Sequence, residues 1–216
     1  MIEAVVFDMD GVIVDSEERW EDVRRRLVID SGRPYPDGAT RAMQGMNPAE
    51  WETYLSDDLG VPGSPREIGR RVVTAMAASY REDLPLIDGA VDTIRALAPR
   101  VPLAVASSSN RELIELALDL AGVRDAFGAV VSSEEVERGK PAPDVYLTAA
   151  GRLGVAAQRC AAIEDSSNGI RSAHAAGMRV VAVPNRAFPP EEDALALADA
   201  VVDTIGAATP QVVLGR

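Results

Sequence analysis

Val5, Val6 and Phe7 make a short unbroken apolar run that stops at Asp8. β-Branched and aromatic residues in such a run suit a strand covered on both faces, as in a parallel sheet. Past Gly11 the period changes. Trp20, Val23, Leu27 and Val28 recur at helical spacing and predict a helix over residues 17–30, with Asp15 or Ser16 as its N-cap. Between Ser31 and Leu84 no strand-like run appears, and helical runs around Arg41, over 48–59 and over 65–82 are broken by Gly and Pro. Regular alternation begins at Leu86. Helices over 90–97, 111–121, 145–153 and 170–176 interleave with strands over 101–106, 126–131, 160–163 and 179–183, and Val201-Val202 offers a last short strand. Strands alternating with helices predict an α/β fold, a doubly wound parallel sheet with right-handed crossovers. Residues 1–15 and 85–216 are expected to form that core, and residues 16–84 an all-helical insert.

Composition narrows the partners. A chain of 216 residues has room for one large core or a core with a modest insert. Its net charge of -12 repels phosphate backbones and anionic lipid, which argues against nucleic acid and membrane surfaces. A small phosphate ester stays open, because a bound cation reverses the local field. Cys160 is the only cysteine, so no internal disulfide forms and a reducing compartment fits. With no apolar run of transmembrane length and no signal-like leader before the first strand, a cytoplasmic protein is expected.

Candidate chemistry sits at the strand ends. Asp8 and Asp10 follow the first strand, Ser107 the second, and Glu164 and Asp165 the fourth; Lys140 precedes the stiff Pro141-Ala142-Pro143 turn. In open α/β sheets the ligand crevice lies outside the carboxyl ends of the strands, so all of these can converge. Two acids there can hold a divalent cation or divide nucleophile and acid/base roles. Taken singly each has a plainer reading: Asp8 and Asp10 as a cap or solvated loop, Ser107 to Asn110 and Asp165 as helix caps, Lys140 as surface charge. Capping does not account for their joint placement.

Four stretches carry a family resemblance: DMDGVIVDSE at 8–17, VASSSN at 105–110, GKPAPD at 139–144 and IEDSSNG at 163–169. In that order and spacing the chain resembles the haloacid dehalogenase-like superfamily, in the phosphatase and β-phosphoglucomutase branch with a helical cap inserted after the first motif. The resemblance implies a Rossmann-like core and a Mg²⁺-dependent phosphatase acting on a small phosphorylated metabolite. It also implies roles. Asp8 attacks phosphorus and becomes an aspartyl-phosphate, while Asp10 protonates the leaving group and then activates water. Magnesium is held by Asp8, the Asp10 carbonyl and Asp165, with Glu164 direct or through one water. Ser107 and the Ser108 amide hold a phosphate oxygen, and Lys140 balances charge. The acid at Asp10 distinguishes the chain from true haloacid dehalogenases, and its length and cap from response-regulator receivers.

Two other functions compete with the phosphatase: a sugar-phosphate mutase of the β-phosphoglucomutase type, and a non-catalytic phosphate-binding protein. By resemblance a mutase needs a cationic grip in its cap, yet residues 17–30 contain no histidine and residues 44–48 neither lysine nor arginine, leaving Arg41 nearby. The loop around Gln44, Gly45 and Asn47 is, by the same resemblance, the part that reaches over the site and touches substrate; read plainly, it is a turn ending a helix. Arg24-Arg25-Arg26 reads as a solvated face, Trp20 and Trp51 as core of the insert, His174 as surface and Cys160 as a small buried apolar residue. A monomer needs no further assumption.

Overall fold

The computed structural model describes residues 1–43 and 46–215. Six parallel strands, β1 (Ala4–Phe7), β2 (Leu103–Ser107), β3 (Phe127–Ser132), β4 (Cys160–Glu164), β5 (Arg179–Ala182) and β6 (Ala200–Val201), form one sheet in the order β3-β2-β1-β4-β5-β6. This is the order in which the winding reverses between β1 and β4, the place where doubly wound sheets bind ligands. Register brings Phe7 level with Val105 on one side and Ile163 on the other. Asp8, Ser107 and the Glu164-Asp165 pair therefore emerge at neighbouring strand ends.

Alternation along β1 divides the apolar residues between the two faces. Val5 and Phe7 join a cluster that runs on through Trp20, Trp51, Leu55 and Met76, whereas Ala4 and Val6 pack with Tyr146, Ala149 and Ile170. On the second face alanines predominate in the strands (Ala104, Ala106, Ala162), which lets the covering helices approach closely. Those helices are α5 (Ala90–Leu97), α6 (Arg111–Leu120), α7 (Asp144–Leu153) and α8 (Ser167–Ala175) across the two faces.

Between β1 and α5 the described residues form helices and no strand: α1 (Glu17–Asp30), α2 (Ala39–Met43), α3 (Pro48–Thr53) continued by a π-turn over Tyr54–Asp58, and α4 (Pro65–Glu82). Two of them start with the same device. Asn47-Pro48-Ala49-Glu50 and Ser64-Pro65-Arg66-Glu67 each place a side-chain acceptor at the N-cap, Pro at the first turn and Glu at the third position, closing a capping box. The chain leaves and re-enters the sheet layer through two paired crossings: Asp15 N donates to Pro85 O (2.8 Å) and Ile87 N to Ile13 O (3.0 Å).

Most predicted elements occur within a residue or two of their expected bounds, with informative departures. Helix Ser167–Ala175 starts three residues early because Ser166 caps it, accepting from Gly169 N at 3.2 Å. Ser16 stands at the head of Glu17–Asp30 without capping it; its hydroxyl donates to Asp10 instead. Short helices Glu192–Leu195 and Pro210–Leu214 were too brief to show a period. No helix among the described residues is long and apolar enough to cross a membrane.

Candidate active site

Asp8 continues β1, its amide donating to Ile163 O at 3.0 Å. The next residues fold back sharply: the amides of Ile13 and Val14 both donate to Met9 O, at 2.7 and 3.1 Å. Gly11 sits in this turn at φ 79°, and a Cβ there would fall 1.9 Å from Asp165 Oδ2. Glycine is thus required twice over, by backbone conformation and by the approach of Asp165.

Asp8, Glu164 and Asp165 are all buried, and one carboxylate oxygen from each lies within 4.8 Å of the others. Lys140 reaches into them, its Nζ 2.9 Å from Asp8 Oδ1 and 2.6 Å from Glu164 Oε1. Its contact with Asp8 is an ion-pair distance without hydrogen-bond alignment, and Asp8 Oδ1 has no hydrogen-bond partner among the described residues. Burial and the neighbouring acids, Glu164 first, push the Asp8 carboxyl well up, against the pull of Lys140; Asp165 is raised by burial, Glu164 and Asp8. Burial opposes the Lys140 ammonium, but Asp8 and Glu164 outweigh it and raise its pKa. One buried lysine among three carboxylates leaves a local excess of negative charge.

Glu164 is saturated. Its Oε1 accepts from Lys140 Nζ (2.6 Å) and Tyr146 OH (2.7 Å), and its Oε2 from Asp165 N (3.0 Å), Ser166 N (3.3 Å) and Ser166 Oγ (3.2 Å). A Cβ at Gly169 would fall 1.8 Å from Glu164 Oε1, so the first turn of Ser167–Ala175 must present bare backbone to this carboxylate. Tyr146 escaped the sequence analysis. Its signal is weak: a tyrosine in a buried helical stripe must satisfy its hydroxyl somewhere.

Asp10 faces a different environment. Ser16 Oγ donates to its Oδ1, while Ser107 Oγ (3.2 Å) and Ser109 Oγ (2.7 Å) donate to its Oδ2. Ser107, expected at a phosphate oxygen, is fully buried and also accepts from Ser109 N at 3.0 Å; Ser108 and Ser109 line the open space instead. Ser109 was not singled out from sequence. At the head of α6, Glu134 accepts from Asn110 Nδ2 and Arg111 N, both at 2.7 Å, so this helix start already has an anionic partner. Asp165 caps no helix, since Ser166 does, and its carboxylate is left to the site.

Above these groups lies a cavity of about 690 Å³, floored by Asp8, Asp10, Lys140 and Asp165 and walled by Trp20, Trp51, Met46, Phe188 and the arginines Arg24, Arg41 and Arg171. Arg24 is a correction to the solvated-face reading of Arg24-Arg25-Arg26. Arg25 and Arg26 are exposed, but Arg24 is buried with its Cζ 4.5 Å from the Trp20 ring centre and 5.1 Å from that of Trp51. Trp20 and Trp51 are core and cavity wall at once. Asn47 spends its side chain on capping Pro48–Thr53, Oδ1 accepting from Glu50 N at 3.0 Å, and packs toward Gly139 rather than lining the cavity. Gln44 and Gly45 lie outside the described residues. His174 is exposed and Cys160 buried, as expected.

A family model described as haloacid dehalogenase-like hydrolase matches residues 2–177. The chain is 35% identical over 188 residues to hexitol phosphatase B of Escherichia coli (strain K12), covering 84% of this chain and 83% of that one. It is 30% identical over 203 residues to the bifunctional riboflavin kinase/FMN phosphatase of Arabidopsis thaliana, covering 93% of this chain but spanning only 53% of that protein's length. Among solved structures, CbbY from Rhodobacter sphaeroides in complex with phosphate matches at TM-score 0.85 and 26% identity, covering 96% of each chain. The chain belongs to the haloacid dehalogenase-like hydrolase family.

Proposed function

We propose that this protein is a magnesium-dependent phosphatase that hydrolyses a small phosphorylated metabolite through an aspartyl-phosphate on Asp8. The observation that carries the reading is the pairing of two differently held acids on one cavity floor. Asp8 is ion-paired to Lys140 beside Asp165, and Asp10 is bound by three hydroxyls. Such a division suits a nucleophile and an acid/base. Relatives named as phosphatases for chemically different esters support it further.

In the first step an oxygen of Asp8 bonds to phosphorus, the bond from phosphorus to the ester oxygen breaks, and Asp10 gives its proton to the departing alkoxide. Serine hydroxyls suit this task because they accept from a protonated Asp10 and donate to an ionised one. In the second step Asp10 takes a proton from water as the water oxygen bonds to phosphorus. The acyl-phosphate bond then breaks, returning the Asp8 carboxylate and releasing inorganic phosphate. Lys140 offsets negative charge throughout.

The acid cluster fits a divalent cation, since three buried carboxylates meet with one lysine between them. Asp8, Asp165 and the Asp10 carbonyl would hold it, and Glu164, already accepting five hydrogen bonds, would act through Lys140 or a water. When bound, Mg²⁺ supplies positive charge to the transferring phosphoryl oxygens. The test is phosphate release from p-nitrophenyl phosphate with Mg²⁺. Release that disappears with chelator and in Asp8→Ala supports the reading, whereas a phosphate-binding protein without turnover would release none. One observation favours a mutase as the second reading: Arg24 and Arg41 place cations in the cavity wall on the cap side.

A further inference from the structure

Among the described residues three aromatic side chains line the cavity, Trp20, Trp51 and Phe188. Two of them are already engaged. Trp20 and Trp51 come from helices of the segment before α5, their ring centres lie 5.9 Å apart, and the Arg24 guanidinium sits 4.5 and 5.1 Å from those centres. Phe188 belongs instead to the stretch between β5 and the helix Glu192–Leu195. It is half-buried, joins neither apolar cluster, and has no ring or cation partner among the described residues. The chain's other two phenylalanines, Phe7 and Phe127, are buried and meet edge to face at 5.8 Å. A lone half-exposed phenylalanine is ordinary on an outer surface. One set in the wall above Asp8 and Asp165 offers its ring to whatever fills the cavity.

The loop that carries Phe188 is braced at both ends. Asn185 Oδ1 accepts from Ala187 N (2.9 Å) and Phe188 N (3.2 Å), a side-chain turn that fixes the backbone just before the ring. Pro189 and Pro190 follow directly, and their locked φ stiffens the backbone just after it. Glu191 N then donates to Ser167 Oγ (2.8 Å), and Arg171 Nη2 donates to Glu191 Oε2 (2.6 Å) and Asp193 Oδ2 (2.7 Å). Ser167 and Arg171 lie on α8, the helix that follows Asp165, so the brace ties the position of the ring to the acid floor. A rigid mount matters because a phenyl ring selects by shape. It makes no ordinary hydrogen bond, but it covers a flat apolar face at little cost in side-chain entropy.

We propose that Phe188 is a specificity-determining residue, packing its ring against a flat ring of the group esterified to phosphate. The preferred esters then carry a sugar ring or an aromatic heterocycle rather than an open polyol chain. A rigid flat partner covers the phenyl face without losing the internal freedom that a chain would lose. This rests on the phosphatase reading and deepens it by naming the substrate class. Part of the selection is thus made outside the loop around Gln44, Gly45 and Asn47, on a segment that follows β5.

The test is steady-state kinetics with Mg²⁺ on wild type, Phe188→Ala and Phe188→Tyr. For p-nitrophenyl phosphate, itself a ring ester, Phe188→Ala should raise KM roughly two- to tenfold, the scale of one aromatic contact. Its kcat should change little, and Phe188→Tyr should recover most of the loss. Inhibition by inorganic phosphate, which needs the floor but not the wall, should be the same in all three proteins. Across substrates, glucose 6-phosphate (sugar ring) or pyridoxal 5′-phosphate (aromatic ring) should exceed sorbitol 6-phosphate (open chain) in wild-type kcat/KM, and Phe188→Ala should narrow the gap. The better ring ester tells sugar from heterocycle. An unchanged KM in folded Phe188→Ala overturns the proposal, as does a weakened phosphate inhibition that matches the KM rise, the mark of a disturbed floor. Sorbitol 6-phosphate turned over as well as or better than both ring esters overturns it without any variant. If p-nitrophenyl phosphate is not hydrolysed at all, the phosphatase reading fails and this inference falls with it; its hydrolysis together with any of these contrary results defeats the inference alone.

Discussion

At the scale of single residues, the proposed chemistry separates groups that react from groups that hold them. Asp8→Ala should leave no phosphate release above background. Asp10→Asn should slow turnover by ~10²–10⁴, the usual contribution of a positioned acid/base, with loss greatest for poor leaving groups. Measuring both variants on an aryl and an alkyl phosphate checks the division of labour. Tyr146→Phe removes one of the two donors to Glu164 Oε1 and should cost about 1–2 kcal/mol of stability in urea denaturation. Asp8, Asp10 and Asp165 were legible in the sequence because each follows a strand end that the apolar pattern locates, and Lys140 because it precedes the stiff Pro141-Ala142-Pro143 turn. Arg24 was not, because a run of three arginines looks uniform until helical phase turns one inward, and its partner Trp51 comes from a different helix. Ser109 and Tyr146 were missed for a similar reason: their partners, Asp10 and Glu164, are far away in sequence.

At the scale of elements, caps and charge networks set local stability. Ser64 both accepts from Glu67 N and anchors the capping box of Pro65–Glu82, so Ser64→Ala should lower stability by about 1 kcal/mol. A second group links α6 and α7 to the turn after β3: Arg111 bonds Glu115 and Glu135, and Arg152 also reaches Glu135. Burial pushes the Glu135 carboxyl up, but Ser132 N, Arg152 and Arg111 outweigh it and hold it below the ordinary 4.5; Glu115 is likewise lowered, burial being outweighed by Arg124 and Arg111. A lowered folded-state pKa stabilises the protein above 4.5 and the contribution fades as pH falls below that value. Arg111→Met should therefore be less stable than wild type near pH 7, by no more than about 1 kcal/mol for such half-exposed pairs. The gap should close as the pH falls below 4.5 and through the lowered folded-state values, which urea midpoints at several pH values would show. Elements with caps and several turns were readable in the sequence. Glu192–Leu195 and Pro210–Leu214, each about one turn, were not, because one turn contains no repeat.

At the scale of the molecule, the sheet order places the ends of β1 and β4 side by side at the reversal of winding. Periodicity foretold parallel strands and helices, but not their order, which depends on long-range pairing. We propose that residues 16–84 act as a cap over residues 1–15 and 85–216, moving about the paired crossings at 13–15 and 85–87. The continuous apolar cluster from Phe7 to Trp51 and Met76 would limit that motion. Because the floor concentrates buried acids around a single lysine, Mg²⁺ should raise the melting temperature by mass action on the folded state, and Asp165→Asn should reduce the rise. Calcium should bind yet support little turnover, its looser coordination being poorly suited to in-line attack.

The central claim is that Asp8 itself carries the phosphoryl group. An acyl-phosphate is reduced by borohydride, which would convert the aspartate to homoserine at that one position. The Asp10→Asn protein, quenched into borohydride during turnover of p-nitrophenyl phosphate with Mg²⁺ and mapped by peptide mass spectrometry, should show homoserine at position 8 only when substrate is present. Continued phosphate release with position 8 always unmodified, or with the modification at another residue, would contradict the account.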